Sequence, residues 1–204
     1  MQKPRCWSCV RPAPEKDDRQ NITPNRIQSE GKIVLNEKME EALNEQINRE
    51  LYSSYLYLAM SAYSSSIGLP GFAHWFKVQV REETIHGMKL FDYINKQEGR
   101  VRLKEIKEPP MEFGTPMEMF QKTLQHEQFV THSINDLVDL ARSEKDETTV
   151  SFLQWYVKEQ VEEEENDNEI IDKLKNAGEN KDALSALDAE LAKRHPPKEE
   201  EESI

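Results

Sequence analysis

The sequence predicts an all-α protein: a bundle of four long helices, with a long crossover between helices 2 and 3 and a short C-terminal fifth helix. Apolar residues recur at helical spacing in four long segments. The composition, 36% hydrophobic and 32% charged with only seven glycines, suits amphipathic helices better than sheets. A long segment containing Pro109 and Pro110 separates the second helical segment from the third. Together these features indicate a four-helix bundle with one long connection.

The first two helices are predicted from a capping residue and a favoured first-turn proline. Asn36 can cap the first helix, which should run to about Ser65. Its predicted buried stripe consists of Met39, Leu43, Ile47, Leu51, Ser54, Tyr57 and Leu58. The second helix should begin near Pro70 and continue to about Gln97. Because the turn at residues 66–71 is short, we expect the two helices to be antiparallel neighbours.

The segment at residues 99–115 has no helical period. A connection this long in a compact helical domain usually spans a long distance, here the length of the bundle. It would let the third helix, which should begin at Thr115-Pro116, run parallel to the second. The fourth helix is predicted from about Thr148 to Ala177, and the fifth from Asp182 to about Arg194.

These elements divide the chain into three parts: an N-terminal extension at residues 1–34, a bundle domain at 35–194 and an acidic tail at 195–204. The only cysteines, Cys6 and Cys9, lie in the Pro-rich extension. We expect this extension to be flexible. The alternatives are half of a metal knuckle, which would need two more ligands, or a redox pair.

The charge and hydropathy of the chain exclude several classes of partner. A net charge of −12 argues against nucleic-acid binding through a basic face. No apolar run approaches the length that crosses a bilayer, and no secretory signal is visible at the N-terminus. We therefore expect a cytoplasmic protein that binds neither nucleic acid nor membrane.

Polar ligand-type residues interrupt the apolar stripe of each long helix. On the second helix, Glu83 and His86 are three residues apart and so can share one ion. The other long helices contribute Glu50, Glu127, Gln160 and Glu163. A lone buried glutamate is more often a satisfied hydrogen-bonding group than a ligand. Four that converge without a counter-charge would repel strongly in a low dielectric. Either they do not converge, or cations lie among them.

Carboxylates with one imidazole and no thiolate suit iron, manganese or zinc. Glu83 is the natural bridge between two ions, one completed by Glu50 and His86 and the other by Glu127 and Glu163. Two adjacent Fe(II) ions can each give one electron to the same O₂. The sequence thus predicts a paired metal site inside the bundle.

Several further residues lie near these ligands in the predicted helices. The Tyr57 hydroxyl could reach the site, or Tyr57 is a core aromatic residue with one hydrogen bond. Glu82, Glu159 and Glu162 each precede a proposed site residue and could form a looser third cation site, or they are simply solvated. Packing or surface positions are expected for His74, His126, His132 and His195.

Four stretches of the chain resemble the prokaryotic non-haem ferritins, members of the ferritin-like di-iron family. They are residues 48–54 (NRELYSS), Glu82-Glu83-x-x-His86, His126-Glu127 and residues 152–164 (FLQWYVKEQVEEE). The resemblance covers about residues 35–191. It implies an iron-storage subunit with ferroxidase activity that oxidises Fe(II) with O₂ or H₂O₂ and deposits ferric oxide mineral in a hollow shell of 24 chains.

The resemblance also assigns the site residues, position by position. The first iron would be held by Glu50, Glu83 and His86, and the second by Glu83, Glu127 and Glu163, with Gln160 beside it. Glu83 as the bridge and Tyr57 near the centre would carry the catalytic roles. A third iron would be bound by Glu82, Glu159, Glu162 and Glu163.

Two departures separate the chain from related families. Bacterioferritins and rubrerythrins carry a second Glu-x-x-His on the last long helix, where this chain reads Gln160-x-x-Glu163. Bacterioferritins also place a haem-ligating Met where this chain has Thr84, so we expect no haem. The alternatives are a passive cation-binding bundle without redox turnover, and a rubrerythrin-like peroxidase that takes up electrons through Cys6 and Cys9.

Overall fold

A computed structural model describes residues 35–196 of the chain, all helix and connections. The helices are α1 (Glu37–Ser66), α2 (Pro70–Lys96), α3 (Pro116–Ser143), α4 (Glu147–Ala177) and α5 (Lys181–Leu191). The predicted architecture of four long helices, a long connection and a short fifth helix is confirmed. The predicted Cys6 and Cys9 arm and most of the acidic tail lie outside the described residues. Over the described range, no helix is both long enough and apolar enough to cross a membrane.

Helices α1, α3, α4 and α5 each begin at an N-cap side chain, and the sequence predicts the first two of these caps. Asn36 accepts a hydrogen bond from the backbone N–H of Met39 at 2.8 Å, and Thr115 forms a capping box with Glu118. The cap of α4 was not predicted: it is Asp146, whose side chain accepts from the N–H of Thr149. Each cap satisfies a backbone donor that the first turn of a helix leaves unpaired.

Hydrogen bonds between α1 and α2 show that the two helices are antiparallel. Ser54 Oγ donates to the carbonyl oxygen of Val80 at 3.0 Å. About two turns later on α1, Ser61 Oγ donates at 2.8 Å to the carbonyl oxygen of Ala73, which lies earlier on α2 than Val80 does. The expectation drawn from the short turn is confirmed.

The direction of α3 follows from its contacts with α1. Ser133 Oγ donates to Gln46 Oε1 at 2.8 Å, and Ser53 Oγ lies 2.7 Å from His126 Nε2, so α3 runs opposite to α1. Because α2 also opposes α1, α2 and α3 are parallel, as the long connection predicts. That connection lies along α1. Asn44 donates to the carbonyl oxygen of Arg100 at 3.0 Å near its start.

Two apolar clusters fill the interior, one at each end of the bundle. The first includes Leu43, Ile47, Leu90, Ile134 and Leu153, and the second includes Phe72, Phe76, Phe120, Ile170 and Leu174. The prediction for Leu58 was wrong, since this side chain is 47% exposed. It follows Tyr57 by one residue, or about 100° around the helix, and the buried face continues instead through Met60 and Ser61.

Helix α5 packs against the beginning of α2 and supplies its cap. Asp188 Oδ1 accepts from the backbone N–H groups of Gly71 and Phe72, at 2.8 and 3.0 Å. The approach is so close that a Cβ at Gly71 would lie 1.7 Å from the carbonyl oxygen of Asp188. The fifth helix ends at Leu191, before the predicted end at about Arg194. The carbonyl oxygen of Arg194 lies beyond the helix, 2.8 Å from Nε2 of His74 on α2.

Candidate metal centre

The predicted ligands from all four long helices are buried. Each is at most 5% exposed: Glu50 on α1, Glu83 and His86 on α2, Glu127 on α3, and Gln160 and Glu163 on α4. Charged groups are rarely so buried unless they are paired or bind a metal. Their burial therefore sets them apart from the many solvated acids of this chain.

The tightest part of the site consists of Glu50, Glu83 and His86. Each offers one ligand atom, and these atoms lie within 4.8 Å of one another, the only such group found among residues 35–196. His86 Nδ1 lies 3.6 Å from Glu83 Oε2. Two buried oxygens, Glu50 Oε2 and Glu83 Oε1, have no hydrogen-bond partner among the described residues. Unpaired acceptors beside an imidazole suit a cation.

Glu127 and Glu163 do not belong to this group of closely spaced ligand atoms. Other side chains hold both carboxylates by hydrogen bonds. The Tyr57 hydroxyl donates to Glu127 Oε1, and Gln160 Nε2 donates to Glu127 Oε2 at 3.2 Å. Gln79 Nε2 donates to Glu163 Oε2 at 2.8 Å. Both carboxylates are thus held by neutral donors.

The pKa values of these acids show how little positive charge the protein itself supplies. Burial, followed by the negative charges of Glu127 and Glu50, raises the pKa of Glu83 well above its usual range. Burial and the neighbouring Glu163 raise the pKa of Glu127 to about 8. Burial also raises the pKa of Glu50, although His86 opposes the shift. Without a cation, these carboxyls favour their protonated forms.

Both sequence interpretations of Tyr57 describe part of what the structure shows. Its ring is fully buried, stacks on Phe76 with ring centroids 6.0 Å apart, and meets His126 edge-on at 5.9 Å. Its hydroxyl nevertheless reaches the site, where it donates to Glu127. Burial and the Glu127 charge raise the pKa of Tyr57, so the hydroxyl keeps its proton. His126 is a packing residue, as predicted, and burial lowers its pKa to about 4.

The predicted third site is only partly assembled. Glu82 is bound by Arg194, whose Nη2 lies 2.5 Å from Glu82 Oε2 with both side chains 17% exposed. Burial raises the pKa of Glu82 to about 7 against the positive charge of Arg194, and Glu163 and Glu159 add to the rise. Glu162 is exposed. Glu82, Glu159 and Glu163 therefore share a region, while Arg194 supplies a positive charge there.

Three polar residues of the centre were not predicted: Gln46, Gln79 and Asp167. Gln46 Nε2 donates to Glu50 Oε1 at 2.8 Å, and Gln79 holds Glu163. Asp167 is buried one turn after Glu163. Each lies four residues from a predicted ligand on its own helix, so the same helical spacing contained the signal.

A surface cleft of about 380 Å³ between α3 and α4 extends inward as far as Gln160. Thr131, Gln160 and Glu164 line it. Gln160 Nε2 donates both to Thr131 Oγ1 and to Glu127, so its amide separates the cleft from the buried acids.

Comparisons with known proteins agree with this geometry. The family model described as a ferritin-like domain matches residues 40–177. The bacterial non-heme ferritin of Bacteroides fragilis (strain 638R) is 42% identical over 161 residues, which is 79% of this chain and 100% of the relative. The bacterial non-heme ferritin of Campylobacter jejuni is 41% identical over 155 residues, 76% of this chain and 93% of the relative.

Solved structures of Archaeoglobus fulgidus ferritin match the fold. An engineered closed form superimposes with a TM-score of 0.79 at 50% identity, covering 80% of this chain and 99% of that one. The open-pore ferritin of the same archaeon gives 0.78 at 51% identity, with 79% and 99% covered. The family match, the relatives and the buried acids on four helices lead to one conclusion: the chain belongs to the non-haem ferritin family.

Proposed function

We propose that the chain is an iron-storage ferritin subunit that oxidises Fe(II) at a pair of positions inside its bundle and passes Fe(III) to a mineral. The observation that carries this proposal is the buried group of Glu50, Glu83 and His86, with its two unpaired carboxylate oxygens. A passive scaffold has no need to bury such a group at a cost in stability.

In this proposal the two iron positions share Glu83. Glu50 and His86 complete the first, and Glu127 and Glu163 turn toward the second. Fe(II) binding displaces protons from carboxyls whose pKa values are raised, such as that of Glu127. Two Fe(II) ions lose one electron each to one O₂, which takes up two protons and leaves as H₂O₂. Hydrogen peroxide can serve as oxidant in the same way, taking two electrons and two protons to give two waters.

The remaining predicted residues orient the ligands or bind further ions. Tyr57 holds Glu127 through its hydroxyl until Fe(II) draws this carboxylate away, and the freed hydroxyl then borders the second iron position. Gln160 lies between the outer cleft and Glu127, where it can admit Fe(II). A third iron position at Glu82, Glu159, Glu162 and Glu163 requires Arg194 to release Glu82.

Assembly into a homo-oligomeric shell, for which 24 chains remain the prediction, is supported by apolar side chains at the surface. They are Tyr55, Leu58, Ile67, Ile85, Met88, Leu103, Ile106, Met111, Phe129 and Val161. Tyr55 and Leu58 on α1, like Ile85 and Met88 on α2, are three residues apart and therefore neighbours on the helix surface. Contiguous exposed apolar side chains of this kind mark surfaces that other chains cover. The cytoplasmic location and the lack of haem stay predictions from the sequence.

The test compares the wild type with Glu83→Gln, using Glu165→Gln as a control that removes one exposed charge. Each protein is loaded anaerobically with Fe(II) and given a pulse of O₂, while Fe(III) absorbance, O₂ uptake and particle size are recorded. We expect rapid oxidation of two Fe(II) per O₂ in the wild type and control, and its loss in Glu83→Gln particles of the same size. Equal rates in all three would overturn the proposal in favour of passive cation binding.

A further inference from the structure

Asp167 is a buried carboxylate with no partner. It is 1% exposed on α4, and neither of its oxygens accepts a hydrogen bond from any described residue. Glu50, Glu127 and Glu163, by contrast, each accept at least one. The next buried residues along this face of α4 are apolar, Ile170 among them. An apolar side chain would suit this position better, so the carboxylate needs an explanation of its own.

The carboxylate of Asp167 lies on the side of the acids, one turn beyond Glu163. Because Cα–Cβ bonds tilt toward the N-terminus of a helix, its side chain leans toward Glu163. The charges of Glu127 and Glu163 act on Asp167 more than any other charged groups do, and Asp167 in turn acts on Tyr57. It therefore borders the second iron position of the proposed pair.

A second unpaired acceptor lies on α2, on a residue that contacts Glu163. Gln79 is fully buried, and its Nε2 donates to Glu163 Oε2 at 2.8 Å. Its Oε1 has no partner among the described residues. Glu163 is thus flanked by the amide oxygen of Gln79 and the two free oxygens of Asp167, and none of these three atoms can donate a proton to another when Asp167 is ionised.

The cationic side chain near Asp167 is already engaged elsewhere. Arg194 binds Glu82 through Nη2, and its guanidinium lies over the ring of Trp75, 4.4 Å from the centroid. Its Nη1 is buried and makes no hydrogen bond within the described part of the chain, so Arg194 does not pair with Asp167. Among residues 35–196, no cationic side chain pairs with Asp167, which leaves a bound cation or a proton to balance its charge.

We propose that Asp167, together with Gln79 and Glu163, binds a further divalent cation inside the bundle. Oxygen donors alone, without thiolate or imidazole, suit hard cations such as Fe(II), Mn(II) or Mg(II). The inference rests on the proposed function, because Fe(II) entering the paired site is the cation that meets Asp167. The position differs from the third site predicted from sequence, since Glu159 and Glu162 precede Glu163 on α4 and Asp167 follows it.

The test is an anaerobic titration of the metal-free, assembled protein with Co(II), which binds oxygen and nitrogen ligands and is not oxidised by the handling. The variants are Asp167→Asn and Asp167→Leu, with Asp172→Asn as a control that removes an exposed acid of the same helix. Equilibrium dialysis with elemental analysis gives the number of Co(II) bound per subunit. Glu83→Gln is measured alongside to report on the paired site.

We expect both Asp167 variants to bind one Co(II) fewer per subunit than the wild type, and Asp172→Asn to bind the same number. Metal-free Asp167→Leu should also melt at a higher temperature than the wild type. Equal Co(II) counts in the wild type and Asp167→Asn would overturn the inference and identify Asp167 as a buried, protonated acid. A paired site that does not bind metal would give a different result: Glu83→Gln would then bind as many Co(II) ions per subunit as the wild type.

Discussion

Replacing Glu127 with Gln should stabilise the metal-free protein at neutral pH. Burial and Glu163 raise the pKa of Glu127 from 4.5 to about 8. At pH 7 the unfolded chain releases this proton and the folded chain keeps it, which costs roughly 3 kcal/mol of stability. Gln carries no such cost. Its amide can accept only one of the two hydrogen bonds from Tyr57 and Gln160, a loss of about 1 kcal/mol. The net gain is about 2 kcal/mol.

The gain should depend on pH with a defined sign. Because folding raises the pKa of Glu127, the stability linked to its proton is fully present below pH 4.5 and is lost as the pH rises through about 8. Near pH 4.5 the variant should therefore be less stable than the wild type, by about 1 kcal/mol for the lost hydrogen bond. The two stability curves cross between these limits.

Differential scanning calorimetry in the presence of a chelator measures this crossing. The melting temperatures of the wild type, Glu127→Gln and the exposed control Glu165→Gln are compared from pH 4.5 to 8. A difference between wild type and Glu127→Gln that does not change with pH would refute the account of Glu127 as a carboxyl protonated by burial. Adding Zn(II) should reverse the order at pH 7, because the wild type gains more from the metal.

Three further predictions concern single side chains. Gly71→Ala should lower the melting temperature, at a cost of about 1–3 kcal/mol, because its Cβ meets a backbone oxygen of α5, whereas Gly87→Ala should be tolerated since its Cβ makes ordinary contacts. Arg194→Gln should raise the affinity of the third site for Co(II) by freeing Glu82, as dialysis would show; unchanged affinity would contradict that role. Tyr57→Phe should slow Fe(II) oxidation in stopped-flow measurements without changing particle size. An unchanged rate would show that Tyr57 contributes only to packing.

The fold was predictable because the signals that define it are local. Asn36 and Thr115 begin their helices by capping the first turns, and the connection before Thr115 had the length needed to cross the bundle. Contacts between distant segments leave no such local signal. The cap of α2 comes from Asp188, more than a hundred residues later. Helix α5 ends before Arg194, whose side chain binds Glu82.

The candidate site was predictable at the level of which residues are buried, and less so in how they are arranged. Spacing on α2 was enough to place Glu83 and His86 together. It could not show that neutral side chains hold Glu127 and Glu163 by hydrogen bonds, because those bonds depend on the rotamers of Tyr57 and of the other partners. A pattern of periodic positions identifies the face of a helix but not the direction of a long side chain.

Anomalous diffraction from crystals soaked anaerobically in Fe(II) locates the bound iron. We expect two iron peaks in each subunit, roughly 3.5–4 Å apart, as in other paired metal sites. Glu83 should lie between them, with Glu50 and His86 on one ion and Glu127 and Glu163 on the other. A single peak at Glu50, Glu83 and His86, or iron found only on the exposed acids of α4, would contradict it.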